Sequence, residues 1–140
     1  MRQTFPELER QKILSVSQRD LWSDVGAEAL AYLREKRHLS DDVIRQFKYG
    51  YCPPNSRHEL AGKILMPLFN SEGELVVFTT RQPDAPKRFQ HWHESFDKGS
   101  YVYGLDIAKE AIRKWDKAIA VEGQFDVGCL HSYGFNMTVG

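Results

Sequence analysis

The sequence predicts a small mixed α+β region that leads into the beginning of an α/β region. Two helix-forming segments followed by a β-hairpin pattern indicate the first region, and a strand–helix–strand pattern near the C-terminus indicates the second. The chain has 140 residues, of which 41% are hydrophobic and 27% charged, so it can bury a core. We therefore divide it into residues 1–23 (an N-terminal arm), 24–116 (the α+β subdomain) and 117–140 (the start of the α/β domain).

The N-terminal half has the signals of short helices. Residues 1–23 show a weak helical period that suits either a helix or a loosely attached arm, and both alternatives stay open. Ser23 is placed to cap a helix that runs through Arg34. Ser40 is placed to cap a second helix, which must end in residues 49–54 because a glycine and two prolines follow one another there.

The middle of the chain predicts a β-hairpin. Residues 63–69 and 74–80 are apolar and β-prone, and residues 70–73 have the composition of a turn. Pro67 has no backbone N–H to donate, so its strand is expected at a sheet edge or at a bulge.

The C-terminal third predicts an amphipathic helix and then one β-α-β unit. Residues 105–115 carry apolar side chains at helical spacing, with Ile107, Ala108, Ala111, Ile112 and Trp115 on one side. A strand at 118–121, a helix at about 124–132 capped by Gly134, and a strand at 135–139 complete the unit.

Two carboxylates follow the first of these C-terminal strands. Glu122 comes directly after the strand and Asp126 lies four residues later, with Gly123 between them. Ligands of open α/β sheets bind at the carboxyl ends of strands, and carboxylates are ligands that Mg²⁺ prefers. The same residues also suit the N-terminus of a helix, where negative charge is stabilised. The spacing alone leaves the metal site and the helix cap open.

A second group of candidate residues combines positive charge with aromatic rings. The basic members are Arg81, Lys87, Arg88 and Lys98, and they alternate with Phe89, Trp92, Phe96 and Tyr101. Such a mixture suits single-stranded nucleic acid, which offers phosphates and base faces. Nearby acidic residues reduce the local charge and the rings are also suited to a core, so this interpretation competes with a structural one. His91 and His93 have no evident third metal ligand.

The composition argues against several classes of protein. The sequence contains no run of about 18 apolar residues, so no membrane span is predicted. The N-terminus lacks a signal-peptide core, which predicts a cytoplasmic protein. Cys52 and Cys129 lack the spacing of a zinc site. Lys+Arg and Asp+Glu are equal at 19 each, so nucleic-acid binding must depend on a local cluster.

The order of segments from about residue 26 onward resembles the RNA-polymerase core of bacterial and phage DnaG-type DNA primases. The resemblance rests on six segments in succession, which are 32–40, 47–51, 60–73, 77–87, 96–105 and 121–127. It implies a toprim fold beginning near residue 117 and a Mg²⁺- or Mn²⁺-dependent site that joins ribonucleoside triphosphates on a single-stranded DNA template. It further implies a replicative helicase as a partner in a primosome, and an origin in a bacterium, phage or plasmid.

The resemblance also assigns roles to particular residues. Glu122 matches the acidic residue of the first toprim motif, and Arg81, Lys87 and Lys98 match basic positions that face template, primer or nucleotide. Lys63 stands where the family usually has an arginine. Two departures are Thr79–Thr80 in place of a Gly-Gly pair, and Arg88 where the family has an aromatic residue.

The family's second toprim motif, an Asp-x-Asp pair, is not in this sequence, and neither is its zinc ribbon. Two carboxylates are too few for a two-metal mechanism. We therefore expect weak Mg²⁺ binding and no primer synthesis by this polypeptide alone, with the rest of a primase as a further partner. One alternative is a non-catalytic nucleic-acid or protein-interaction module, as a remnant or split subunit. Another is a different toprim enzyme, such as a topoisomerase or nuclease.

Overall fold

The computed structural model of the chain describes residues 5–83 and 98–140. The α-helices are α1 (Glu7–Leu21), α2 (Ala27–Ala31), α3 (Asp41–Gln46), α4 (Leu105–Trp115) and α5 (Gln124–Ser132). A 3₁₀ turn (Asp24–Gly26) precedes α2, a π-helical turn (Tyr32–Lys36) continues it, and a second 3₁₀ turn spans Lys98–Ser100. The strands are β1 (Gly50–Tyr51), β2 (Ile64–Phe69), β3 (Leu75–Arg81), β4 (Ile119–Ala120) and β5 (Thr138–Val139).

The β-hairpin predicted from the sequence is formed by β2 and β3. They are antiparallel, and Asn70 closes the turn by accepting hydrogen bonds at its side-chain oxygen from the backbone N–H groups of Glu72 and Glu74 at 3.0 and 2.9 Å. The short strand β1 pairs with the other side of β2, which makes β2 the central strand of a three-stranded sheet. The sequence did not predict β1, because two residues give no alternation to recognise.

The prediction for Pro67, a sheet edge or a bulge, is confirmed only in part. This proline lies in the central strand and not at an edge, but β1 covers only Ile64 and Leu65, so Pro67 pairs on one side alone, with Phe78. A register shift follows at Leu68/Phe69. A proline is tolerated here because the short neighbour β1 requires no donor from it.

The three-stranded sheet is buried on both faces. Ile64, Met66 and Leu68 of β2 belong to a cluster that includes α2, α3 and α5, while Leu65 and Phe69 belong to a cluster that includes α1. All six residues of β2 are buried. The continuous apolar run of this strand therefore reflects two covered faces.

Of the two alternatives for residues 1–23, the structure has a helix, α1, over Glu7–Leu21. It packs so closely on β1 that a Cβ atom at Gly50 would overlap the side chain of Ser17. Ser17 in turn donates a hydrogen bond to the Leu14 carbonyl at 3.0 Å. Gly50 is required at this crossing because it has no side chain.

The two helix caps behave differently. Ser40 accepts a hydrogen bond from the Val43 N–H at 3.3 Å, which confirms the predicted cap of α3. The predicted cap at Ser23 is wrong. Its hydroxyl donates to the Asp20 carbonyl at 2.8 Å, at the end of α1, and α2 starts after a 3₁₀ turn. The nearby end of α1 offers Ser23 an acceptor, and that competes with capping.

The predicted β-α-β unit is present, with strands shorter than expected. β4 and β5 are parallel, Ile119 pairing with Thr138 and Ala120 with Val139, and α5 connects them. Gly134 has φ +92° and ends α5 in a Schellman motif, as predicted. Helix α4 has the predicted bounds, but Trp115 is 55% exposed and not packed in the core. Among the helices in the described ranges, none has the length and apolar character needed to cross a bilayer.

Candidate nucleic-acid and metal site

Glu122 and Asp126 lie at the junction of β4 and α5. The Val121 N–H donates to the Val139 carbonyl at 2.9 Å, which extends the strand pairing to the residue before Glu122. The side chain of Glu122 is exposed. Gly123 is extended, at φ −115° and ψ 147°, and its carbonyl accepts from the Val127 N–H at 3.1 Å, the first bond of the helix. The exposed carboxylate therefore stands at the carboxyl end of a parallel strand, as predicted.

Asp126 is in the first turn of α5 and folds back toward Gly123. A Cβ atom placed on Gly123 would come within 3.0 Å of Asp126 Oδ2. The carboxylate thus lies over the N-terminus of the helix, where the partial positive charge of the peptide dipoles stabilises it. This geometry is compatible with both alternatives for Asp126, helix cap and cation ligand.

The end of β5 approaches the same turn. A Cβ atom on Gly140 would lie 3.3 Å from the Val121 carbonyl oxygen and 3.8 Å from that of Gly123. The carboxyl ends of both parallel strands therefore converge beside Glu122, the arrangement in which α/β proteins bind ligands.

The donor set suits a hard cation only in part. Glu122 and Asp126 supply oxygen ligands, and a Mg²⁺ ion can be held by one or two carboxylates together with waters. Within residues 5–83 and 98–140, no three His, Cys, Asp or Glu side chains come together as a metal cluster. Among the described residues, Glu122 and Asp126 thus offer the ligand type that Mg²⁺ prefers, and they are fewer than a two-metal arrangement needs.

Tyr103 connects this acidic turn to the α+β part of the molecule. Its backbone exchanges two hydrogen bonds with Gly140, N–H to carbonyl at 2.7 Å and the reverse at 3.1 Å. Its hydroxyl donates to the Tyr49 hydroxyl at 3.2 Å, and its ring stacks on Phe47 with centroids 5.8 Å apart. Burial raises the pKa of Tyr49 to about 12 and also raises the pKa of Tyr103, so both hydroxyls stay protonated.

The predicted basic residues are only partly within the described structure. Arg81 is the last residue of β3 and pairs with Ile64, so it lies at the same end of the hairpin as Lys63. Arg81 is 6% exposed and Lys63 is half-buried. Lys98 begins the 3₁₀ turn that leads to Tyr103. Lys87 and Arg88 lie outside the described residues, as do Phe89, Trp92, Phe96, His91 and His93.

One basic residue beside the acidic turn was not singled out from the sequence. The Arg37 guanidinium lies 4.3 Å from the ring centroid of Phe125, which directly precedes Asp126. Its Nε also donates to the Tyr32 hydroxyl at 2.8 Å. In the sequence Arg37 is one of several charged residues in a row, and only the packing of α5 distinguishes it.

Comparison with known proteins places these features in a family context. No family model matches the chain. A DNA primase of Synechocystis sp. is 33% identical over 155 aligned residues, covering 85% of this chain and 24% of the relative. For a DNA primase of Synechococcus elongatus the identity is 31%, over 81% of this chain and 22% of the relative. This chain therefore spans about a quarter of the length of these relatives.

Solved structures give a similar result for the fold. A DnaG catalytic core superimposes with a TM-score of 0.79 at 24% identity, covering 92% of this chain and 51% of that one. The DnaG primase catalytic domain bound to ssDNA gives 0.80 at 23% identity, with 92% and 52% coverage. The RNA polymerase domain of Mycobacterium tuberculosis DnaG gives 0.80 at 24%, with 93% and 53% coverage. The predicted α+β fold followed by a toprim-like β-α-β unit is thus confirmed.

Proposed function

This chain is homologous to bacterial DnaG-type DNA primases over most of its length, and we propose that it forms part of a primase RNA-polymerase core. It would supply the groove for the single-stranded DNA template and the first Mg²⁺-binding glutamate. The observation that carries the proposal is the exposed Glu122 at the carboxyl end of β4, next to Gly140 at the end of β5. In the whole enzyme the substrates would be ribonucleoside triphosphates and the site of action the bacterial cytoplasm.

Glu122 would hold the cation directly. When bound, Mg²⁺ would offset negative charge on the phosphate oxygens of the reacting nucleotide. Asp126 lies back over the start of α5 and would accept hydrogen bonds from water at that cation. Because these two carboxylates do not make a two-metal site, primer synthesis would need further carboxylates from elsewhere in the core.

The template groove is proposed to follow the basic residues. Lys63 and Arg81 share one end of the β2–β3 hairpin, and Lys98 opens the segment that Tyr103 joins to Gly140. Ser100, two residues after Lys98, lines a pocket together with Asn70, Ser71 and Glu72 of the hairpin turn, at the end opposite Lys63 and Arg81. The proposed groove would therefore run along the hairpin, and phosphates held by the basic residues would lead a strand toward the cation. Lys87 and Arg88, which lie outside the described residues, are proposed to bind nucleic acid as well.

The DNA part of the proposal is tested with a fluorescein-labelled single-stranded oligonucleotide and fluorescence anisotropy. We expect binding at low salt, and a triple variant of Lys63, Arg81 and Lys98 to Ala should bind more weakly. The slope of log affinity against log salt should fall by about 0.7 for each phosphate that the variant no longer neutralises. Arg113→Ala, an exposed cation on α4, is the control. Absence of binding by the wild-type chain, or equal affinity of the triple variant, would refute the proposed groove.

The metal part is tested separately with Mn²⁺ as a paramagnetic probe. We expect Glu122→Gln to abolish the specific Mn²⁺ signal, and Glu110→Gln, an exposed acid on α4, to leave it unchanged. Primer synthesis with Mg²⁺ is then compared between this chain and a version extended to the length of its relatives. Activity in the extended version alone is expected. Mn²⁺ binding that is unaffected by Glu122→Gln would contradict the assignment of this residue.

A further inference from the structure

A cleft of about 640 Å³ lies between the π-helical turn and the open end of the hairpin. Flat side chains line it, namely Tyr32, Tyr51, Pro54 and Pro83. Between them are residues with little or no side chain, Ala31, Ala61 and Gly62. The volume is in the range of small-molecule sites, and rings beside small residues leave a space suited to a planar group.

Tyr32 is held in place before any ligand arrives. Its hydroxyl accepts the hydrogen bond from Arg37 Nε at 2.8 Å, and its ring meets Phe125 edge-on with centroids 6.3 Å apart. It is also the first residue of the π-helical turn. π-Helical turns are rare in proteins, and those that do occur are frequently found at functional sites. A ring fixed in this way loses little conformational entropy when it stacks on a ligand.

The charge of the cleft rim selects among planar ligands. Glu28, Glu35 and Lys36 line it and are exposed, so the carboxylates outnumber the cation. Two carboxylates disfavour a free triphosphate at this position. They are hydrogen-bond acceptors, however, and match the amino groups of cytosine, adenine and guanine.

The cleft adjoins the proposed template groove. Gly62 of the cleft directly precedes Lys63, and Gln82 of the cleft directly follows Arg81. Because Ile64 pairs with Arg81, these positions come together at the hairpin end. A single strand whose phosphates lie at Lys63 and Arg81 would carry a base within reach of the cleft.

From these observations we propose that the Tyr32–Tyr51 cleft receives one unstacked base of a single-stranded nucleic acid, with a preference for bases that carry an amino group. The inference rests on the proposed function, since it requires a strand in the adjacent groove. It assigns to the cleft a base subsite, in which stacking gives affinity and the carboxylates of Glu28 and Glu35 give selectivity.

The test fills the cleft. Ala31→Phe places a ring among the lining residues, and Ala27→Phe, at the exposed first position of the same helix, is the matched control. Anisotropy is measured with an oligocytidylate and with an abasic oligonucleotide of equal length. Because stacking of one base contributes enough for about a tenfold change in affinity, Ala31→Phe should lower oligocytidylate affinity by about that factor. It should leave the affinity for the abasic strand unchanged.

The selectivity is measured with oligocytidylate and oligothymidylate. The wild-type chain should prefer cytosine, and the double variant Glu28→Gln and Glu35→Gln should reduce that preference, whereas Glu110→Gln should not. Equal effects of Ala31→Phe and Ala27→Phe, or no base preference in the wild-type chain, would overturn the base subsite while the groove remained. No binding of any strand by the wild-type chain would instead refute the proposed template groove, and with it the nucleic-acid part of the proposed function.

Discussion

Strands β2 and β4 are both short and apolar, yet they lie in different surroundings. Every residue of β2 is buried, since β1 and β3 flank it and helices cover both faces of the sheet. In β4, Ile119 is half-buried and Ala120 is exposed, and within the described residues β5 is the strand paired with it. Because the hydrophobic contribution depends on the area removed from water, equal apolar character gives unequal stabilisation.

From this difference we expect the α+β region to contribute most of the stability and the β-α-β region to carry the candidate site. The α+β region buries its apolar strands and is expected to dominate the stability of the chain. The β-α-β region leaves Tyr133 and Phe135 exposed, yet it carries the acidic turn. Parallel strands are usually covered on both faces, whereas Ala120 of β4 is exposed.

The largest expected effect comes from truncating the same residue type in each region. Ile64→Ala in β2 removes a fully buried side chain and should lower the free energy of unfolding by about 3 kcal/mol. Ile119→Ala in β4 should cost about 1 kcal/mol because its side chain is half-exposed. Urea denaturation followed by circular dichroism measures both. Equal losses in the free energy of unfolding for the two variants would contradict the proposed difference between β2 and β4.

The next effect concerns the junction between the regions. Gly104 has φ +81°, and an added Cβ atom would lie 3.3 Å from both Phe47 and Val127. Gly104→Ala should therefore cost about 2 kcal/mol, from left-handed strain together with crowding. Gly134→Ala, at φ +92° with open space around it, should cost about 1 kcal/mol from strain alone. Thermal unfolding of the two variants gives the difference, and an inverted order would show that the junction adjusts freely.

A smaller and opposite effect is expected in β3. Thr79 is fully buried, and its Oγ1 has no hydrogen-bond partner among the described residues. A buried hydroxyl without a partner is destabilising, so Thr79→Val should raise the free energy of unfolding by about 1 kcal/mol. The shape is nearly unchanged, which makes the variant a clean measure of that hydroxyl. A decrease in stability would mean that the hydroxyl makes a stabilising interaction.

The smallest effect is a pH dependence in the β-α-β region. Burial lowers the pKa of His131, and this effect is larger than the opposing effect of the hydrogen bond to the Thr138 carbonyl, which raises the pKa. The unfolded chain therefore binds a proton at His131 more readily than the folded chain does. The contribution of neutral His131 to folding stability is fully present above about pH 6.5 and is lost as the pH falls from there toward the pKa of the folded state. Denaturation at pH 7.5 and 5.5 should show this loss, and His131→Gln should reduce it. An identical pH dependence in the variant would assign the effect to other groups, such as His58, whose pKa burial also lowers.

The accuracy of the sequence-based expectations depended on how local their causes were. Ser40 and Gly134 were placed correctly because a cap depends on atoms within a few residues. Ser23 was wrong because the end of α1 offered it a competing acceptor. Trp115 has the helical spacing of a core residue but remains exposed, since spacing says which side of a helix is apolar and not what covers it.

By itself the sequence determined the order of helices and strands, the hairpin and the position of Glu122 after a strand, because periodicity, turns and caps act over short distances. Only the tertiary structure decided that Gly50–Tyr51 is a strand and that Arg37 lies on Phe125. The same holds for Tyr103, which joins Tyr49 to Gly140. Each of these depends on segments far apart in the chain, whose packing decides which groups meet.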